Sequence, residues 1–476
     1  MYDVVEKSIK EITEALNNGA VTSVDLVKTY LKRIKEIDQG LPFYNSVREL
    51  NEDALKIAGI LDNERVNGKV RSKMHGIPIL LKDNINTLGK MHTTAGSLAL
   101  KDNYANYDAT IVKNLVKNGA IILGKANLTE FANFMTYDMR NGYSSLGKEV
   151  LCPYNIKIDP SGSSAGSAVS VSLNLAPVSI GTETGGSIMS PAMQNGVVGI
   201  KPTMGLVSRY GIIPISKTLD TAGPIAKSVS DAAILLSSIR SNDVNDSVTL
   251  DKKDATIDYS RYLNIDGLKD KRIGIDKTRY NNLSDIRKAT FDKNVKLLKT
   301  NGAIIVEDLN IKQTDLIFHV MKYEFKHEIN RYLDSLGENT VMKSLNDIVK
   351  FNKDNKESCL KYGQILLEEC NTKTSGNMDE EEYIKGMNER EISAKALDVI
   401  FEKNNLDMIY FASYTSLGPH CGFPTLTLPC GIDESNIPIG TYFLAQRYRE
   451  DKLISISYAF EQIINKRINP LKKVSK

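Results

Sequence analysis

The sequence predicts an α/β layer fold, and three observations carry that prediction. Short apolar runs such as Gly76-Ile77-Pro78-Ile79-Leu80-Leu81 and Ala120-Ile121-Ile122-Leu123 are bounded by turn residues and are too short for helices. Between them lie amphipathic stretches at helical spacing, so strand and helix alternate along the chain. The chain has 476 residues, 41% hydrophobic and 25% charged, which excludes a disordered protein and allows one large core or two to three modest domains.

Taken in order, the elements read as follows. Val4, Val5, Ile9, Ile12 and Leu16 share one helical face. Thr22 and Asp25 form a capping box ahead of Leu26, Val27, Tyr30, Leu31, Ile34 and Ile37. The run 76–81 is a buried strand. A helix starts at Asp108, continues through Ile111, Val112, Leu115 and Val116, and stops at Asn118-Gly119, a C-cap signal. Residues 120–123 form a second buried strand, and Val178-Ser179-Ile180 a third. The polar stretch 241–258 reads as a loop or lobe boundary, and 313–403 as long charged helices. Residues 406–411, 424–429 and 437–444 read as strands, and Leu453, Ile456, Phe460 and Ile463 close the chain on a helix.

Composition narrows the function classes. A net charge of +3 gives no basic surface for coating nucleic acid, so no nucleic-acid partner is expected. No apolar run approaches the length of a membrane span, and the start of the chain lacks the basic-then-apolar pattern of a secretory leader. Five cysteines, Cys152, Cys359, Cys370, Cys421 and Cys430, read as reduced thiols. A cytoplasmic protein without a membrane partner is therefore the expectation.

The residues that carry chemistry are unusual in lacking a well-placed histidine. His75, His92, His319, His327 and His420 are the full set, and none stands at metal-ligand spacing with Cys or Asp, so no metal is expected. The stretch Ser161-Gly162-Ser163-Ser164-Ala165-Gly166-Ser167 runs into Ala168, Val169 and Val171, so it opens a helix, where free N–H groups collect. A flexible linker fits poorly, and no Gly-Lys-Ser/Thr ending completes a phosphate loop. The residues Gly162 to Gly166 also match Gly-x-Ser-x-Gly, a nucleophile elbow centred on Ser164, although 154–160 makes a poor preceding strand.

A second motif, Gly181-Thr182-Glu183-Thr184-Gly185-Gly186-Ser187, follows the short strand at 178–180. Its paired glycines either make a structural turn or gather N–H groups about one point, as an oxyanion requires. A third feature is Lys82, at the end of the run 76–81. It is either salt-bridged at the surface or desolvated, and a desolvated lysine can act as the general base that histidine usually supplies.

Together these motifs resemble the amidase signature family. The resemblance runs through Gly76 to Asn84, the text Gly124-Lys125-Ala126-Asn127-Leu128-Thr129-Glu130-Phe131, the serine loop and Gly181 to Ser187. It continues in Asn195-Gly196-Val197-Val198-Gly199-Ile200-Lys201-Pro202-Thr203, Cys421-Gly422-Phe423-Pro424 and Ile437-Pro438-Ile439-Gly440. It implies a central mixed twisted β-sheet covered by helices on both faces. It also implies one domain over 1–476: N-terminal helices to 65, a catalytic core at 70–235, a variable substrate lobe at 240–405 and C-terminal elements at 406–465.

Residue by residue, the resemblance implies Ser187 as nucleophile, Ser163 as bridging serine and Lys82 as base. Ser163 and Ser187 lie 24 positions apart, the family's spacing, which selects Ser163 over Ser164. The N–H groups of Thr184, Gly185, Gly186 and Ser187 are the implied oxyanion hole, and Ala132 and Asn133, with Ser163, the implied substrate contacts. The implied reaction is hydrolysis of a carboxamide to carboxylate and ammonia or amine through an acyl-enzyme, with no cofactor; a homodimer is compatible.

Within the family, Ala126 to Phe134 and Gly211-Ile212-Ile213-Pro214-Ile215-Ser216 look most like peptide amidases. The charge-poor stretch 128–136 and Met189, where an Arg is common, suit an uncharged peptide amide better than glutamine. Two alternatives stand beside this reading. One is the glutamine-hydrolysing A subunit of a tRNA-dependent amidotransferase, for which Arg331 or Arg390 could supply a cation. The other is a non-catalytic binding or scaffold protein on the same fold. Ser161 and Ala165 depart from the commoner glycines of the serine loop.

Overall fold

A computed structural model of the chain describes residues 2–250, 257–312, 316–465 and 467–472. Residues 251–256 and 313–315, part of the expected loop and of the expected helical stretch, lie outside the described residues.

Eleven strands form one mixed sheet. In chain order they are β1 (Val47–Leu50), β2 (Pro78–Lys82), β3 (Ile121–Ala126), β4 (Val178–Glu183), β5 (Val198–Lys201) and β6 (Thr221–Ala226), then β7 (Arg272–Asp276), β8 (Ile304–Val306), β9 (Met408–Phe411), β10 (Thr425–Thr427) and β11 (Tyr442–Leu444). They lie in the order β1-β3-β2-β4-β6-β5-β10-β11-β9-β7-β8. The central pairs β2–β3 and β2–β4 are parallel, whereas β4–β6 and β5–β6 are antiparallel. Strands β2, β3, β4, β5 and β6 are buried along their whole length, as the near-continuous apolar text of β2 and β3 requires; β4, β5 and β6 also bury Thr182, Glu183, Lys201 and Thr221.

Helices cover both faces. Alternate residues of β6 show this: Ile225 packs with Ala168, Val171, Ile188 and Ala192, whereas Ala222 and Ala226 join the cluster containing Val229, Ala233 and Leu236. Helix Ala165–Ser172 sits so close to the sheet that a Cβ on Gly166 would lie 2.4 Å from the carbonyl oxygens of both Asn127 and Ser46.

Several expected elements shift. The first helix is Ile9–Asn17, capped by Ser8, so Val4 and Val5 precede it although Val4 is buried. The second, Ser23–Arg33, carries the expected box: Thr22 Oγ1 accepts from Asp25 N, and Asp25 Oδ2 accepts from Thr22 N. Gly119 takes φ +82°, as a helix-ending glycine must. Residues 437–444 split in two: Pro438–Gly440 pairs with Pro429–Ile432 in a separate ribbon, and only Tyr442–Leu444 joins the main sheet. The segment 240–405 supplies β7 and β8 at one sheet edge as well as helices. Its helices Ile317–Ser335, Leu345–Asp354 and Ile365–Lys373 share a second core with Ala95, Phe131, Phe134 and Ile213.

Candidate active site

Strand β2 ends on Lys82, and the register places its C-terminal end beside that of β4. Lys82 is fully buried, with Nζ 2.7 Å from Ser163 Oγ, 2.9 Å from Thr182 Oγ1 and 3.2 Å from the Thr182 carbonyl oxygen. Asn84 Nδ2 donates to the same Thr182 hydroxyl at 3.0 Å. No carboxylate pairs with the amine among the described residues. Burial dominates, against the opposing pull of Asp220 and Glu183, and lowers Lys82 from 10.5 to about 7. The surface or salt-bridged alternative for Lys82 is therefore ruled out by its surroundings.

Three loops meet here. The Gly162–Ser163 peptide is cis, and Ser161 before it adopts φ +61°. Thr129 N donates to Ser163 O at 3.1 Å, and Ser164 N donates to Ser187 O at 3.2 Å. The serine loop is thus tied both to the segment entering 130–133 and to the turn after β4. Ser164 itself is committed to structure: its hydroxyl donates to Thr182 O at 3.1 Å and accepts from Thr182 N at 3.2 Å. No strand precedes it at 154–160, so the elbow geometry is absent.

The turn after β4 is shaped from below. Glu183 Oε2 accepts from Ile188 N at 2.8 Å and from Met189 N at 3.0 Å, at the start of helix Met189–Gln194. Gly186 takes φ +109°, and a Cβ there would lie 2.6 Å from the Tyr414 hydroxyl. Thr184 Oγ1 donates to Asp220 Oδ1 at 2.5 Å, and Asp220 Oδ2 accepts from Ile215 N and Ser216 N. Among the described residues, none takes the N–H of Thr184, Gly185 or Ser187, and the Glu183 carboxylate lies against that of Gly186. Gly185 is exposed and Ser187 half-buried, so the turn presents donors and a hydroxyl to the outside.

Phe131, Ala132 and Asn133 all adopt positive φ, at 46°, 54° and 71°. Three consecutive non-glycine residues in this region mark a strained turn of the kind found at ligand sites. Phe131 is buried and Asn133 exposed, while Ala132 packs on the cluster that contains Ile317. A Cβ on Gly185 would stand 3.5 Å from Ile317 Cδ1, so the same cluster borders the nucleophile turn.

Two arguments drawn from sequence change. Met189 is fully buried among Leu417, Phe423 and Tyr442, so it belongs to the core and not to the mouth of the site. Glu130 is equally buried, bonded to Ser145, and raised by burial to about 7. Thr182, Asn84, Glu183, Asp220 and Tyr414 escaped the sequence reading. Only their positions on or beside matching motifs could have flagged them.

Comparison with known proteins gives this geometry its family: residues 25–454 match the amidase family model, and the chain belongs to that family, whose members hydrolyse amide bonds. A probable amidase of Arabidopsis thaliana is 38% identical, covering 97% of this chain and 90% of its own. The crystal structure of native peptide amidase from Stenotrophomonas maltophilia is 38% identical with a TM-score of 0.93, covering 98% of both chains. The glutamyl-tRNA(Gln) amidotransferase A chain from Thermotoga maritima is more distant, at 25% identity and TM-score 0.70, covering 99% of this chain and 97% of its own. Among the described residues, no helix is long and apolar enough to cross a membrane.

Proposed function

We propose that this amidase cleaves the terminal carboxamide of peptides through a Ser187–Ser163–Lys82 relay. The observation that carries the proposal is the buried Lys82 amine, 2.7 Å from Ser163 Oγ and held at about 7. Two N–H bonds of a neutral amine are taken by Thr182 O and Oγ1, which leaves the lone pair for Ser163.

In this reading Lys82 takes the Ser163 proton as Ser163 takes that of Ser187. The Ser187 oxygen bonds to the amide carbon. The N–H groups of Thr184, Gly185, Gly186 and Ser187 hold the resulting oxyanion, with that of Gly186 shared with Glu183. Ser163 passes a proton to the nitrogen, the C–N bond breaks and ammonia leaves. Water, deprotonated by the same relay, then hydrolyses the Ser187 ester. The strained turn at Ala132 and Asn133 and the apolar border at Ile317 would receive the acyl side of the substrate.

Likeness to the Stenotrophomonas enzyme supports a peptide amide over glutamine. Arg390, unpaired among the described residues, and Arg331, already paired with Glu328, line a cavity whose walls include neither Ser163 nor Ser187. The test is purified enzyme assayed for ammonia release. A blocked dipeptide amide is expected to exceed glutamine in kcat/KM by at least about 100-fold, roughly 2.7 kcal/mol. Equal glutamine turnover, or activity only with a second polypeptide and charged tRNA, assigns the chain to the amidotransferase instead. A serine-reactive phosphonate is expected on Ser187; an adduct on Ser164 refutes the relay.

A further inference from the structure

A cavity of about 630 Å³ lies beside the catalytic cluster, between the later turns of helix Ile317–Ser335 and the loops around Arg209 and Lys217. Its size is that of a site for a small organic molecule. Apolar walls come from Met204, Ile212, Ile213 and Met387. Thr182 and Asp220 contribute to the same walls, so an occupant would sit against the groups that hold Lys82 and Thr184.

The charges lining the cavity do not cancel. Asp246 is paired with Arg209, at 2.8 Å from Nε and 2.5 Å from Nη2. Glu328 is paired with Arg331, at 2.6 Å from Nη2. Asp220 is satisfied by Thr184 and two backbone N–H groups. Among the described residues, Lys217 at the exposed rim and Arg390 deeper in have no carboxylate partner, and with Asp220 counted the lining keeps an excess of one positive charge. Arg390 is half-buried on helix Glu381–Asn404, and its Nε is buried without any hydrogen-bond partner.

The nearest carboxylate cannot serve it. Glu324 already accepts from Ser216 Oγ, Thr218 N, Thr218 Oγ1 and Tyr383 Oη. Gly422 leaves room for the guanidinium: a Cβ there would lie 3.4 Å from Arg390 Nη2. No ion pair forms on Arg390 among the described residues. A half-buried guanidinium whose buried Nε has no acceptor, lining a cavity of ligand size, is matched by a planar carboxylate that takes two parallel N–H bonds.

We propose that this cavity is a second binding site, for a small carboxylate such as a short peptide acid, with Arg390 as its anchor. The site is distinct from the amide-cleaving one, and the proposal does not depend on which amide is cleaved. Its occupant is either the acid that amide hydrolysis releases or an unrelated small carboxylate.

The test uses full-length Ser187→Ala protein, so that no turnover intervenes, titrated by calorimetry with N-acetyl-glycyl-glycine, its C-terminal amide, and succinate. The peptide acid is expected to bind saturably. Adding Arg390→Gln should weaken it at least about tenfold, Arg390→Lys less, and Arg331→Gln, whose cation is already paired, less still. Peptide acid binding better than succinate marks the product as occupant, and equal binding marks a general carboxylate site; both support the proposal. Absent saturable binding of the acid, an Arg390→Gln loss as large for the amide as for its acid, or full acid affinity in a folded Arg390→Gln variant overturns it. With Ser187 restored, Arg390→Gln should still react with the phosphonate at the parent rate. Failure of the parent to react overturns the relay and leaves the binding result standing.

Discussion

Replacing Asp220 with Asn should move the pH dependence of this amidase toward acid. Lys82 sits at about 7 where a free lysine sits at 10.5, a difference of roughly 5 kcal/mol maintained by burial. At 10.5 only about one lysine in three thousand is neutral at pH 7; at 7, half are. With the neutral amine as base, kcat/KM should rise with pH and level off near pH 8. The value at pH 6 should be roughly a tenth of the plateau. Asp220 is the largest influence holding Lys82 up, so its removal lets the inflection fall. The assay is ammonia release from a blocked dipeptide amide between pH 5 and 9, at substrate well below KM, for parent and Asp220→Asn. A flat parent profile, an inflection near 10, or a variant inflection moved upward refutes the assignment.

The same burial has a stability consequence with the opposite chemical sense from a salt bridge. Between about pH 7 and 10.5 the unfolded chain binds a proton at Lys82 that the folded chain does not, so the Lys82 contribution to stability improves as pH rises through this window. Lys82→Met should therefore abolish activity yet raise the unfolding midpoint at pH 7, by chemical denaturation; a lower midpoint refutes the claim that burial dominates. Gly186→Ala should cut kcat by about 100-fold or more with little change in KM, because φ +109° and the Tyr414 hydroxyl both reject a Cβ; a kinetically silent variant refutes that. Ser161→Gly should leave kcat/KM unchanged and stabilise by up to about 1 kcal/mol, since Ser161 has φ +61°; a loss of activity would assign its hydroxyl a role in the reaction.

Lys82, Ser163 and Ser187 were legible as candidates only through the family resemblance, since each motif alone also allowed a structural reading; the fold brings the first two within 2.7 Å of each other. The sheet was legible where a strand reads as an apolar run, as β2 and β3 do; β5 and β6 are just as buried but were missed, because Gly199 and Lys201, and Thr221, Gly223 and Pro224, interrupt their apolar residues. The supporting groups were not legible either. Thr182 and Asp220 are ordinary residues in their own segments, and acquire meaning only when β4 and the loop after Ser216 are folded against Lys82 and Thr184. Met189 misled for the complementary reason: it stands two residues after Ser187 in the chain, but the helix starting there turns its side chain into the core. Charged text likewise concealed that 240–405 supplies two sheet strands, because β8, although all apolar as Ile304-Ile305-Val306, is only three residues long and lies exposed or half-buried at the sheet edge.

Helix Ile317–Ser335 borders the nucleophile turn at one end and meets Asn86 through Tyr332 at the other, at 2.7 Å. Midway, Glu324 is fully buried and carries its four donors from the loop 216–218 and from Tyr383. An enzyme that admits its substrate by swinging a cover needs a cover that is inexpensive to lift. Lifting this one would strand a buried carboxylate and several hydroxyls, several kcal/mol in all. The helix is therefore a fixed lintel beside the nucleophile turn, and the substrate entry proposed above does not rest on its moving. On the proposed function, selectivity in such an enzyme becomes a matter of architecture before binding, and it is expected to shift when Ile317 or Ala132 is changed, with no moving part disturbed.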